Sequence, residues 1–579
     1  MPLDGTMMQP DGADTTKPPA FSGPEFADIR SRCDRAITTL RSERSPFFTM
    51  WRELSQFIIP QRGRFVMPPG PNDTLRGLPK QQQIIDRTAT KALKAMAAFL
   101  MAGITSPARD WFKLATLRDE LNDDHDVKAW LSEVAKRQRT IFTASNFYNA
   151  MASLYEELGA FGTGVMLCLP DYENVMRFTT LTAGEYLLLT DKCGMVNTVY
   201  REMVLNVQAM VEEFGLENVS ERVRSLYIAK NFSYEINVVH AIIPNVGRKI
   251  GRMDWRGMEF LSVRYEQGFA SFQCLDVAGF HEFPAIAPRW DVVATDVYGH
   301  GPAEEALPDV KMLQILRRRQ AEAIDKMVKP PMVGPASLKN SLVQLIPGGM
   351  NYVDPQAVGG MKPAFDIPPN GIQPLAELVA DTRQTIQGTF YGDLIAQFSQ
   401  GDTPDMTARE VDERHEEKVL LLGPMLERFH AEGLSPVLAI VFNRMARVGL
   451  LPPAPAALKG QHVEPEFISL LAQAQRAVGT TSIEQLFRFA GGLVAVVPNA
   501  MDNLDVDKAI EAYADMTGVT PEIVRDPAKV AAMRQAQQQQ EAAAQAAQQG
   551  QAAVQAAQTL SQTDVGGGAN ALQLMAGTN

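Results

Sequence analysis

The residues whose types could do chemistry stand in strings that each lack one required partner. His415-Glu416-Glu417-Lys418-Val419 begins like a helical zinc-protease motif but has no second histidine one turn on, so one helix face cannot chelate a metal. Ser271, in Gly268-Phe-Ala-Ser-Phe272, lacks the second glycine that a strained nucleophile turn needs. Asp502, Asp505 and Asp507 lack the central glycine and terminal bidentate glutamate of a calcium loop. No Gly-x-x-x-x-Gly-Lys-[Ser/Thr] string occurs, so the backbone cradle and lysine of a phosphate loop are missing and the chain is not read as an ATPase. Among the 7 histidines the closest pair, His415 and His430, stands about four helical turns apart. No carboxylate pair or triad suited to hydrolysis stands out, and the expectation is a non-enzyme without cofactor or metal. One basic cluster remains: Arg317, Arg318 and Arg319, with Lys326 and Lys329 on the same helix, read as solvated or as ion-paired between subunits rather than as a direct DNA contact.

The elements that must hold these residues follow from punctuation and periodicity. A chain of 579 residues with 45% hydrophobic and 21% charged residues folds as more than one core. The net charge of −12 disfavours tight wrapping of nucleic acid. Four separated cysteines read as buried free thiols, and the absence of a signal-like start and of a long apolar run points to no membrane and assembly in a cytoplasm. Ile29, Cys33, Ile37 and Leu40 recur at helical spacing until Pro46 interrupts. Asp86 and Asp126 are expected to cap helices through Leu93 and Leu100, and through Trp130 and Ile141. From Val165 to about Phe283 the pattern turns to short strands, Tyr186–Thr190, Val196–Tyr200, Ile236–Ile242 and Phe260–Tyr265, with one helix from cap Asn206 to stop Gly215.

Helices return at Pro302 and at 372–395, around a Pro/Gly-rich insertion at 330–371. Thr407 and Glu410 form a capping box for a long helix that Gly433 and Pro436 bend or restart. Beyond Lys529 a Gln/Ala-rich tail without an apolar stripe reads as a marginal helix or as disordered.

Taken in order, these strings resemble the portal, or head-to-tail connector, family of short-tailed bacteriophages. The resemblance rests on Glu43-Arg44, Trp51-Arg-Glu-Leu54, Ile59-Pro-Gln-Arg-Gly63, Ile85-Asp86, Gly103-Ile-Thr-Ser-Pro-Ala-Arg-Asp-Trp-Phe112 and Phe161-Gly-Thr-Gly164. It continues through Pro288-Arg-Trp-Asp291, Tyr298-Gly-His-Gly-Pro302 and Met406-Thr-Ala-Arg-Glu-Val411, spanning roughly 28–529. It implies an α+β, predominantly helical portal fold assembled as a homo-oligomeric ring of about twelve subunits. It further implies a flexible arm at 1–25, a wing at 26–301, stem helices at 302–329 and 372–395 around a clip at 330–371, and a tunnel loop at 396–406. A long helix returning to the wing at 407–464, a crown at 465–529 and the tail at 530–579 complete the plan. The loop would meet the channel through Gln397, Phe398, Ser399, Gln400, Asp402, Asp405 and Met406. Implied partners are the terminase packaging motor, tail adaptor and tube proteins, major capsid and scaffolding proteins, and double-stranded DNA passing without sequence specificity, at the head-tail vertex of the virion. The rival reading, another head-tail adaptor or scaffold component, fits the acidity but not the size.

Overall fold

A computed structural model describes residues 21–66, 83–122, 124–268, 273–333, 362–363, 372–399, 423–458, 463–467, 483, 485–490, 504, 506–517 and 527–562. The elements run α1 (Pro24–Phe57), α2 (Thr88–Ile104), β1 (Phe112–Thr116), α3 (Asp119–Asn122), α4 (His125–Ala144) and α5 (Phe147–Phe161). There follow β2 (Val165–Asp171), β3 (Val175–Leu181), β4 (Tyr186–Thr190), β5 (Val196–Asn206), α6 (Val207–Phe214), α7 (Glu221–Ile228) and β6 (Glu235–Pro244). Then come β7 (Phe260–Glu266), β8 (Asp276–Phe280), β9 (Ala285–Ile286), α8 (Pro302–Val328), β10 (Met332–Val333), β11 (Lys362–Pro363), α9 (Gln373–Thr389) and α10 (Gly392–Ser399). The architecture is α+β and predominantly helical.

The chain divides into two units. The larger holds the sheets formed by β2 to β11 and α1, α2 and α5 to α10. Its main sheet is an antiparallel meander in the order β4-β5-β6-β7-β8. Because strand side chains alternate faces, Val239, Ala241 and Ile243 of β6 lie with Leu261, Val263 and Tyr265 under Ile29, Cys33, Ile37 and Leu40 of α1. Ile236 and Val238 turn to the opposite face and meet Val207, Met210, Phe214 and Val223 of α6 and α7. Full burial of each such aliphatic side chain stabilises by about 1.5–3 kcal/mol. In the smaller unit Val127, Leu131 and Leu458 are buried together, and Trp130 Nε1 donates to the Pro452 carbonyl at 3.1 Å.

Several expectations need correction. Pro46 does not end α1, which runs unbroken for 34 residues. The missing N–H leaves the Ser42 carbonyl without its helical donor, a loss of about 3 kcal/mol, but Ser42 is exposed to water and buried Leu40, Arg44, Trp51 and Leu54 anchor both sides. Asp124, not Asp126, caps α4, its Oδ1 accepting from the Asp126 and Val127 amides at 2.9 and 3.3 Å. Asp86 sits one residue before the capping position of α2 and still accepts from the Thr88 amide at 3.0 Å. Cys33, Cys168 and Cys274 are buried, whereas Cys193 is exposed in the turn between β4 and β5. Asn206 does cap α6, accepting from the Ala209 amide at 2.7 Å, while α7, capped by Ser220, carried no strong sequence signal.

The helix Gly423–Phe429 passes through a π-helical turn, His430–Leu434, into the helix Ser435–Val448, so Gly433 and Pro436 lie within one continuous rod and do not restart it. The Gln/Ala-rich segment is helical from Pro527 to Gln562, and its described side chains are almost all exposed. Ala and Gln propensity accounts for it without an apolar stripe. Thr407 and Glu410 lie outside the described residues.

Candidate functional site: the paired helices and their basic face

α8 starts with Gly301 at the cap and Pro302 in the first turn, where a missing N–H costs nothing, and with Glu304 and Glu305 against the positive end of the helix dipole. Its buried residues, Ala303, Ala306, Leu307, Val310, Leu313, Gln314 and Leu316, form one stripe that stops at Leu316. α9 buries Val379, Thr382 and Ile386 along a similar stripe. Beyond Leu316 no described residue of α8 is buried, and Met312, Ile315, Ile324, Met327 and Val328, with Leu378 of α9, are exposed large apolar side chains.

The base of this pair is fixed by one carboxylate. Asp86 is 8% exposed. Its Oδ1 accepts from the Thr88 amide and hydroxyl at 3.0 and 2.6 Å, and its Oδ2 accepts from Arg383 Nε and Nη2 at 3.1 and 2.5 Å. Arg317 Nε stands 3.4 Å from the same oxygen. Gln314 closes the joint: its Oε1 accepts from the Ile85 and Asp86 amides at 2.7 and 2.8 Å, and its Nε2 donates to the Asp86 carbonyl at 3.0 Å. Burial opposes the charge on Asp86, but the bonds from Thr88 and Arg383 outweigh it and hold the carboxyl below the usual aspartate range. α2, α8 and α9 are thus locked together at one polar point.

The five basic residues therefore separate. Arg317 turns to Asp86 and to Gln320, whose Oε1 accepts from Nη1 at 2.6 Å. Arg318, Arg319, Lys326 and Lys329 are exposed and, at about 100° per residue, fall within one arc of roughly 100°. Ile315 lies inside that arc and Met312 at its edge, so the face is apolar and basic together.

The expected channel segment also divides. α9 ends at Thr389, followed by fully buried Phe390 and by Tyr391 in the left-handed region at φ 58°. Tyr391 lies against Trp290, ring centroids 6.0 Å apart. A β-carbon on Gly392 would stand 2.7 Å from the Gln387 carbonyl oxygen, so glycine is required at this close approach. Gln397, Phe398 and Ser399 belong to the backbone of α10. Gln400, Asp402, Asp405 and Met406 lie outside the described residues, as do Ser271, His415, Asp502 and Asp505.

Other titratable groups in the interior are structural. His240 bonds Ser262 Oγ at 2.9 Å, and burial holds its pKa down to about 3, so the ring is neutral over the working pH range. Glu157 is fully buried and meets Arg62 at 2.8 Å, Thr182 Oγ1 at 2.7 Å and the Ala183 amide. Glu432, in the π-helical turn, binds Arg289 at 2.6 and 3.0 Å, with the Arg289 side chain buried and that of Glu432 partly so. Among the described residues no group of three or more His, Cys, Asp or Glu could hold a metal, and no helix is long and apolar enough to cross a membrane. Sequence reasoning missed Arg383, Gln314 and the Arg289–Glu432 pair, because each meets its partner across more than a hundred residues and leaves no local signal.

A sequence profile described as "Bacteriophage head to tail connecting protein" matches residues 30–524. The chain belongs to that family. The connector is 43% identical over 506 residues to the "Probable portal protein" of Bordetella phage BPP-1, covering 87% of this chain and 90% of that one. It is 41% identical over 538 residues to the "Portal protein" of Salmonella phage epsilon15, covering 92% and 96%. Among solved structures, the neck of an empty gene transfer agent particle is similar at TM-score 0.35 and 12% identity, over 70% of this chain and 86% of that one. The connector's role is to join head and tail at the capsid vertex.

Proposed function

We propose that this connector is the subunit of the portal ring, a closed homo-oligomer of about twelve copies through which double-stranded DNA is packaged, retained and ejected. The observation that carries the reading is the apolar and basic face of α8, with Met312 and Ile315 exposed beside Arg318, Arg319, Lys326 and Lys329 on a helix anchored at its base by Asp86. A single chain gains nothing from such a face, whereas a neighbouring copy would bury it. In this reading residues 26–301 form the wing, 302–329 and 372–395 the stem, and 330–371 the clip that meets the packaging motor and the tail adaptor. The wing would meet capsid and scaffolding proteins. Arg318, Arg319, Lys326 and Lys329 serve ion pairing between subunits.

The net charge of −12 suits a conduit, since strong phosphate contacts would brake a sliding polyanion. Residues 396–406, without a lysine or arginine, act as a steric gate. Sedimentation and negative-stain imaging of the purified chain test the assembly: ring-shaped particles with a central hole are expected, and a stable globular monomer at micromolar concentration would overturn it. Replacing Phe398 to Thr403 by a short glycine linker should leave rings intact and lower the yield of filled particles; a normal yield would remove the gate.

A further inference from the structure

The loop between β6 and β7 carries the most exposed apolar cluster of the sheet. Val246, Ile250 and Met253 are 88%, 89% and 97% exposed. The loop that holds them is built rather than slack. The Asn245 amide donates to the Glu259 carbonyl at 2.7 Å, Asn245 Nδ2 to the Met258 carbonyl at 2.9 Å, and the Lys249 amide to the Arg256 carbonyl at 2.7 Å. Arg248 reaches the Gly257 carbonyl at 3.0 Å, and a β-carbon on Gly257 would run into the Arg252 backbone. Arg256 stacks on Trp255 and pairs with Glu25, which ties the loop to the first turn of α1. Four basic residues (Arg248, Lys249, Arg252, Arg256) against two acidic ones (Asp254, Glu259) make it net positive within an acidic chain. Such a loop is a preformed knob: fixing it in advance removes the ordering cost of docking.

A matching hole lies on the same unit. Phe47, Met50, Trp51 and Leu54 of α1, with Phe161, line an open cavity of about 180 Å³, and Glu304 stands on its rim. An apolar cavity of about 150 Å³ takes a benzene-sized group, so this one has room for a single isoleucine or methionine side chain. Glu304, in the first turn of α8, is the one carboxylate among the lining residues and is paired with His300 at 2.8 Å. Knob and hole sit at the two ends of α1, next to Phe26 and around Met50, about 36 Å apart along the helix at 1.5 Å per residue. One copy therefore cannot close the contact on itself.

Arg248, Arg252 and Arg256 pair with Glu259, Asp254 and Glu25 of their own chain, and Lys249 is the remaining cation of the loop. We propose that the 245–259 loop of one copy seats Ile250 or Met253 in the Phe47–Met50–Trp51 cavity of the next copy, with Lys249 facing Glu304 on the rim. The occupant is a second copy because the exposed side chains of the loop match the cavity in size, Lys249 is opposite in charge to Glu304, the two sites stand at opposite ends of α1, and a heterologous contact of this kind propagates around a ring. The inference rests on the ring reading and adds a contact outside the helix pair. Its test uses the full-length chain with Cys193→Ser, which removes the one exposed cysteine among the described residues. Met253→Cys and Met50→Cys are then placed in that background, singly and together, and treated with a short bismaleimide. The double variant should give a ladder of covalent multiples and each single variant none. Ring-shaped particles without a ladder would overturn this contact while leaving the ring reading intact; monomers before cross-linking would remove the ring reading and this contact with it. Independently, Ile250→Asp with Met253→Asp, both at exposed positions, should lower the assembled fraction at fixed concentration at least tenfold with unchanged circular dichroism. An unchanged assembled fraction would also overturn the contact.

Discussion

Asp86→Ala removes one carboxylate from the point where α2, α8 and α9 meet. The variant loses the acceptor of the Thr88 amide and hydroxyl and of two Arg383 nitrogens. Loss of the first-turn bond on α2 costs about 1 kcal/mol. A charge-assisted bond contributes about 1.5–3 kcal/mol, and Arg383 is 41% exposed, so solvent screening brings its share toward the bottom of that range. The total is about 2–3 kcal/mol, of which the Arg383 share, about 1.5 kcal/mol, holds α9 against α2 and α8, without counting the repulsion left between Arg383 and Arg317. Each 1.4 kcal/mol is tenfold in an opening equilibrium, so amides of α9 from Val379 to Ile386 should exchange about tenfold faster in hydrogen-exchange mass spectrometry, while β6 and β7 keep their protection. A change under threefold in α9 would refute the reasoning. The pH dependence has a defined sign: a carboxyl whose folded pKa is lowered contributes stability above its unfolded value near 3.9, and that contribution is lost as pH falls through the folded value.

Gly162→Ala should destabilise by more than about 3 kcal/mol, seen as lost soluble yield, because φ is +72° there and the added carbon would enter the Gly299 and His300 backbone. His300, where burial opposes the charge but Glu304 and Asp296 outweigh it, has a raised pKa; its contribution to stability is full below about pH 6.5 and fades as pH rises through the folded value. His300→Gln should flatten that part of a melting-temperature profile. Burial pushes the Cys33 thiol up to about 12 and the Cys274 thiol up to about 11, and Cys168 is raised as well, so a thiol reagent at pH 8 should label Cys193 at once and these three only on unfolding.

The sequence by itself determined the class, the order of elements and the family. Strand alternation at Ile236–Ile242 and Phe260–Tyr265, the Asn206 cap and the helix starting at Pro302 are local events, governed by side-chain period, one capping hydrogen bond or a fixed φ. They could be read without knowing the partners. Only the tertiary structure decided that Pro46 lies inside one helix, because burial at Trp51 and Leu54 outweighs a lost backbone bond. The same holds for the basic cluster. Five cations on one helix look alike in sequence, yet Arg317 is drawn to Asp86, 231 residues earlier, while Arg318, Arg319, Lys326 and Lys329 face solvent. The knob at Ile250 and the hole at Met50 are likewise invisible to periodicity, since exposure and cavity volume are set by what the rest of the chain leaves uncovered.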